Sequence, residues 1–302
     1  MKRKPIYPRR HLAALGLPGA LWVLLFVGGS LYGLIATATG TVDPLLFQPR
    51  PAWNPLNWGV STLGQVGNSL LPPAGLYWPA VSRTLVFVAI AVAACVLIGY
   101  PVAYFVALRA RRSKGPILVL LVVPLLVSYM LRMLAWVGLL APDGYVNRVL
   151  QELGIVGGPV NWLGGRPSTV VIALVYGWVP YFILPLYASL ERLDRRYLEA
   201  ANDLGAGRVR TFLFVTVPLS AQGILAGVVL VGLPMTGDFF TNDLVSGSPR
   251  TSMIGNVINI YANSITQQVT GAALAFWLLV FLAVLLANYV RSSARAMRAV
   301  TG

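Results

Sequence analysis

Hydrophobic residues in this chain gather into long, nearly uninterrupted runs, without the alternation of a half-buried strand or the stripe of a surface helix. Six runs, at about 18–39, 84–108, 117–140, 168–190, 218–238 and 271–290, reach the ~20 helical residues needed to cross a hydrocarbon core. A helix apolar on all sides needs lipid or the inside of a bundle around it. The predicted fold is therefore all-α, an integral membrane protein of six transmembrane helices. The first run is expected to be retained, because it is longer than a leader's hydrophobic region and no small-x-small cleavage site follows it.

The basic residues between the runs give the arrangement a direction. Lys2, Arg3, Lys4, Arg9 and Arg10 precede the first run; Arg109, Arg111, Arg112 and Lys114 lie between the second and third. Arg192, Arg195, Arg196, Arg208 and Arg210 lie between the fourth and fifth, and Arg291, Arg295 and Arg298 follow the sixth. The alternate connections hold only Arg50, Arg83, Arg148, Arg166 and Arg250. Cytoplasmic segments are the ones enriched in Lys and Arg, so six spans with both termini in the cytoplasm are expected; an odd number would scramble the segregation. The expected organisation is a cytoplasmic tail at 1–17, a first helix at 18–39 and an external loop at 40–79. A core of five helices follows at 80–290, with a cytoplasmic loop at 191–218, and then a cytoplasmic tail at 291–302. The external loop carries Trp53, Trp58 and Trp78 among Pro and Asn. Indole rings suit the headgroup layer, and the same surface could instead dock an external protein; both readings stand at this point.

Composition agrees and removes several function classes. The chain is 57% hydrophobic and 11% charged, with a mean hydropathy of +0.73, against about a quarter charged for a soluble domain. The net charge of +14 would suggest nucleic acid, but its placement between apolar runs is what membrane topology demands, and no nucleic-acid partner is expected. Cys95 and His11 are the only residues of their types, which leaves no disulfide framework or metal-ligand spacing. None of Lys2, Lys4 and Lys114 ends a glycine-rich loop, so the chain has no P-loop. No acidic cluster marks a catalytic centre, and no catalytic residue, cofactor or metal is assigned. No internal repeat of the kind common in secondary transporters is visible.

One connection is too ordered in sequence to be a linker. Between Glu191 and Pro218, Tyr197, Leu198, Ala201 and Leu204 recur at helical spacing, Gly205 can end that helix in the left-handed region, and Val209, Phe212, Leu213 and Val217 restart the period. Pro218 suits the first turn of the next span. A short helix, a glycine corner and a second helix are predicted, lying on the cytoplasmic face.

With Glu199-Ala200-Ala201, Gly205 and Val217-Pro218-Leu219 at these offsets, the segment resembles the EAA loop of binding-protein-dependent ABC import permeases. Further cues are Arg83-Thr84-Leu85, Gly99-Tyr100-Pro101-Val102-Ala103-Tyr104, Leu131-Arg132, Ala135-Trp136, Leu184-Pro185-Leu186-Tyr187, Gly237-Asp238-Phe239, Met253-Ile254-Gly255-Asn256 and Gly271-Ala272-Ala273-Leu274. Together they resemble the spermidine/putrescine class of these permeases over about residues 80–290. Permeases for iron, opines or other small solutes share much of the pattern. The resemblance implies a type I importer permease fold in a bacterial inner membrane, with Glu199, Ala200, Ala201, Asp203, Gly205 and Pro218 coupling it to an ATPase. It also implies a second related permease forming a heterodimer, two ATPase subunits that bind the ATP and Mg, an external substrate-binding protein, and a polyamine substrate.

A transported cation needs acceptors and aromatic faces in place of water. At 1.5 Å per residue, Arg132 lies about 23 Å and Asp238 about 30 Å along their spans from the cytoplasmic side, both toward the outer leaflet. Tyr129, Arg132 and Trp136 share one helix face. Two readings follow: Asp238, with Tyr129, Trp136 and Phe239, lines a solute route, or Arg132 and Asp238 pair and pin two helices together. Asp243 and Asn256 are further candidates in the outer loop.

Overall fold

The computed structural model describes residues 9–45, 48–110 and 112–301, with side chains from 16 to 294 within those stretches. Lys2, Arg3, Lys4 and Arg111 of the charge pattern, and the side chains of Arg9, Arg10, Arg295 and Arg298, lie outside the described residues. The chain forms two compact units, one built from residues up to Leu71 with Ile258–Leu279, the other from Pro72–Val257 with the chain from Val280 onward.

In the first unit, α1 (Arg9–Val23) runs through a π-helical turn at Leu24–Gly28 into α2 (Gly29–Ala38). An antiparallel pair, β1 (Thr41–Val42) and β2 (Pro49–Arg50), follows, with Asp43 and Arg50 ion-paired at 2.5 Å. Trp53 and Trp58 fold back onto Tyr32, ring centroids 6.2 and 6.3 Å away, and the Tyr32 hydroxyl donates to the Trp53 carbonyl. The amphipathic α3 (Ser61–Leu70) accepts a hydrogen bond at the Leu63 carbonyl from Trp277 Nε1, 2.9 Å.

The second unit starts with α4 (Trp78–Tyr104), which a π-helical turn extends to Arg109. Then come α5 (Lys114–Leu126), α6 (Tyr129–Leu140), α7 (Tyr145–Glu152) and the long α8 (Pro167–Glu191). The connection holds α9 (Arg195–Asp203), α10 (Arg208–Thr211) and α11 (Val217–Leu219), the last two joined by a π-helical turn at Phe212–Thr216. The unit continues with α12 (Ala221–Thr236) and α13 (Phe240–Val245); α14 (Ile254–Ala262) and α15 (Gln268–Thr301) follow, their stretch from Ile258 to Leu279 belonging to the first unit. Among the described residues four helical stretches, Gly16–Ala38, Trp78–Arg109, Pro167–Glu191 and Gln268–Ala294, are long and apolar enough to cross a membrane. Two further helix pairs pass the same test together but are bent, and each taken as one span would make the number six.

Those bends correct two of the predicted spans. The third run is not one straight helix over 117–140: Lys114–Leu126 and Tyr129–Glu152 meet at 94°. Pro124 has no N–H to give and its ring crowds the preceding turn; three residues on, Val127 and Ser128 are extended, with ψ of 133° and 137°. The fifth run bends by 63° between Arg208–Leu219 and Ala221–Thr236. Pro218 therefore lies in the last turn before the bend instead of opening the span. Pro180 and Pro185, by contrast, are carried inside α8 without a break. Because α6 turns away from α5, counting rise per residue from residue 117 does not place Arg132 in depth.

Packing of α4, α8 and α12 centres on Phe182, which is fully buried. Gly99 of α4 and Gly227 of α12 flank its ring: a Cβ at either would stand 2.6 or 2.7 Å from a ring carbon. Small residues at such crossings let helices approach where lipid gives no hydrophobic drive to associate. Gly227→Val should force the ring or the helix aside, at a cost of about 1–3 kcal/mol, and lower the melting temperature of the detergent-solubilised protein. An unchanged melting curve would mean that the crossing has slack.

Candidate functional site: the Gly205 corner and the Asp238 cluster

Asp194 starts the helix–corner–helix element, its carboxylate accepting from the Arg196 amide at 3.0 Å and so capping α9. The helix ends as Gly205 permits. Its φ is +79°, a region costly for residues with a Cβ. The Ala206 amide donates to the Ala201 carbonyl at 3.0 Å and the Gly205 amide to the Asn202 carbonyl at 2.9 Å. That pair of bonds is the Schellman closure, and it aims the chain into α10.

Glu199, Ala200, Asp203, Gly205 and Pro218 are exposed, and Ala201 is half-buried. The apolar residues of the predicted stripe divide: Leu198 turns inward, whereas Leu204 is 88% exposed and Tyr197 58%. Val209 and Phe214 are exposed as well, at 72% and 73%. Glu199 also lines a cavity of ≈310 Å³ with Tyr104, Arg109, Arg195 and Arg208.

Behind this exposed face the element is clamped to α4. Phe212 lies edge-on to Tyr100 and Tyr104, centroids 5.3 and 5.5 Å away. Ser220, the buried residue at the 63° bend, shares a 2.8 Å hydrogen bond with the Tyr100 hydroxyl. Lys114 at the head of α5 pairs with Glu191 at the tail of α8 at 2.5 Å, an exposed pair that solvent and salt screen. Displacement of α9–α10 would thus reach α4 and α12 through packed rings.

A second cluster gathers three predicted residues. Asp238, 7% exposed, follows α12 and accepts three hydrogen bonds: from the Tyr129 hydroxyl at 2.6 Å, the Thr241 hydroxyl at 2.6 Å and the Thr241 amide at 3.1 Å. Arg132, 4% exposed, donates from Nη1 to the Gly177 carbonyl at 3.1 Å, and its guanidinium lies 5.4 Å from the Tyr129 ring centroid and 6.0 Å from that of Tyr181. Among the described residues the ion pairs are Asp43–Arg50 and Lys114–Glu191, so the expected alternative of an Arg132–Asp238 pair is not what forms. The carboxylate is satisfied by hydroxyls and an amide instead.

The other candidates are near in sequence but engaged elsewhere. Trp136 packs edge-on against Tyr176 at 5.1 Å, and Phe239 stacks on Phe240 at 4.1 Å. Asp243 is exposed and accepts from Asn256 Nδ2 at 2.7 Å. Sequence reading missed Thr241, which the three-residue offset from Asp238 could have flagged as a capping partner. It also missed Trp178 and Tyr181, which no local signal separates from the rest of an apolar run.

An exposed Glu-Ala-Ala helix with a glycine corner, clamped to a bundle of membrane helices, is the architecture of an ABC importer permease. The chain belongs to the family described as binding-protein-dependent transport system inner membrane component, matched over residues 95–296, and is a multi-pass inner-membrane permease. It is 35% identical over 272 residues, 90% of this chain and 94% of the relative, to the spermidine/putrescine transport system permease protein PotB of Escherichia coli. To PotB of Haemophilus influenzae it is 36% identical over 218 residues, 72% of this chain and 76% of the relative. Its fold superposes with a TM-score of 0.71, at 16% identity, on a chain of the bacterial alginate ABC transporter crystallised with an alginate-bound periplasmic protein, covering 95% and 94% of the two chains.

Proposed function

We propose that this permease imports polyamines of the spermidine/putrescine type. The observation that carries the substrate reading is the 35% identity to a spermidine/putrescine permease across 90% of the chain. Aromatic rings beside a buried carboxylate, as at Tyr129 and Asp238, suit an organic ammonium ion. In this reading both termini face the cytoplasm, as the segregated arginines favour. Glu199, Ala200, Ala201, Asp203, Gly205 and Pro218 then form the seat for an ATPase subunit. A second, related permease completes the pore, two ATPase subunits bind the ATP and Mg, and an external binding protein delivers the solute.

Exposed apolar residues at Tyr197, Leu204, Val209 and Phe214 support a protein contact there, since a solvated helix keeps few large apolar side chains outside. Tyr129, Arg132, Trp136, Asp238, Phe239 and Asp243 belong to the solute route or its immediate wall. The substrate reading is tested in proteoliposomes holding both permeases and the ATPase, supplied with binding protein. Labelled spermidine should accumulate when ATP is present. Accumulation of a different solute with none of spermidine would overturn it.

A further inference from the structure

A guanidinium buried in a membrane protein is costly unless paired, and Arg132 is left poorly paired. Asp238, the carboxylate that meets the same Tyr129, is engaged by Tyr129 and Thr241. One nitrogen reaches a backbone carbonyl, while Nε is buried with no hydrogen-bond partner. What the cation does have is rings: Tyr129 and Tyr181 within 6.0 Å of its centre. Trp178 bridges those two tyrosines, 5.5 Å from one and 5.4 Å from the other. Contiguous aromatic faces with a carboxylate at the edge make a site for an organic cation; a side chain that merely filled space here would be cheaper as Leu or Met.

We infer that Tyr129, Trp178 and Tyr181 form a binding box for an organic ammonium group, and that the Arg132 guanidinium is its built-in occupant, closing the route until a transported ammonium replaces it. This rests on the reading of the Asp238 region as part of the solute route. The mechanics are local. Arg132 lies on the first turn of α6, directly after the 94° break at Val127–Ser128, and its amide closes that turn onto the Ser128 carbonyl at 3.1 Å. A small rotation about the break therefore carries both the guanidinium and Tyr129 away from α8 and Asp238. The tethered cation also sets selectivity: a neutral solute gains nothing by displacing it, whereas an ammonium ion recovers the same ring contacts.

The test uses the full importer assembly in proteoliposomes loaded with labelled putrescine and labelled sucrose, without ATP. Arg132→Gln, which keeps a hydrogen-bond donor and loses the charge, should raise putrescine efflux about tenfold, the scale of one cation–π contact, and leave sucrose trapped. Arg132→Lys should stay near the wild type. Putrescine efflux at the wild-type level, or an equal rise for sucrose, would overturn the box. If Arg132→Gln fails to copurify with the assembly, Tyr181→Leu takes its place: a selective rise in putrescine efflux supports the inference, and none refutes it. ATP-driven uptake by Asp238→Asn reports separately on the route. Impaired uptake there beside tight Arg132→Gln vesicles sinks the tethered cation alone, whereas normal uptake beside leaky vesicles sinks Asp238's place in the route.

Discussion

Gly205→Val is expected to assemble with its partner subunits yet lose at least about nine-tenths of the ATPase stimulation produced by loaded binding protein. The reason is conformational. A Cβ at this position would meet nothing within 4 Å, so no clash is introduced. The φ of +79° is what a β-branched residue cannot hold, at a cost of about 1–3 kcal/mol, and each 1.4 kcal/mol is a factor of ten in population. The Schellman bonds from Ala206 and Gly205 would be lost, and α9 would no longer point where Asp194 and the corner now fix it. Gly205→Asn, which tolerates the left-handed region, should retain most of the stimulation. Equal losses in both variants would mean that the glycine matters for something other than backbone geometry.

Asp238→Asn is expected to leave the assembled complex intact and cut ATP-driven spermidine uptake by about tenfold or more. The amide can still accept from Tyr129 or Thr241, so the connection after α12 keeps its shape. What disappears is the negative charge, whose hydrogen bonds contribute about 1.5–3 kcal/mol each where a neutral one gives about 1. Without it the rings beside Tyr129 are left to hold a passing ammonium with no carboxylate at their edge. Uptake at the wild-type rate would remove Asp238 from the route.

The two sites were not equally legible in the sequence. The helix and glycine corner were readable because their geometry is local: Gly205 sits one residue past Leu204, where the helical spacing ends, and the left-handed requirement follows from that place. The helices were readable as apolar runs: four of the six are continuous helices in the structure, and the other two are bent pairs. Their bends were not, because Pro124 breaks its helix and Pro180 does not; the difference depends on what packs around each proline. Residues that carry the family resemblance prove to be contacts between segments far apart in the chain. Thr84 Oγ1 accepts from the Ile254 amide at 2.8 Å, and Arg83 donates to the Pro249 and Arg250 carbonyls at 2.9 and 2.8 Å. Spacing along the chain could not have supplied those pairings. Of the two readings the sequence left open for Arg132 and Asp238, the direct pair does not form, and Tyr129 and Thr241 hold the carboxylate instead.

If nucleotide-driven motion enters this protein through α9, an ATPase subunit must touch that helix directly. Ala200 is exposed, and the native Cys95 is fully buried, so Ala200→Cys provides one accessible thiol. A short thiol-to-amine crosslinker applied to the assembled importer should join this residue to the ATPase subunit, with a yield that changes when ATP is added. Crosslinks only to the external binding protein, or to no subunit while the complex remains active, would contradict the coupling account.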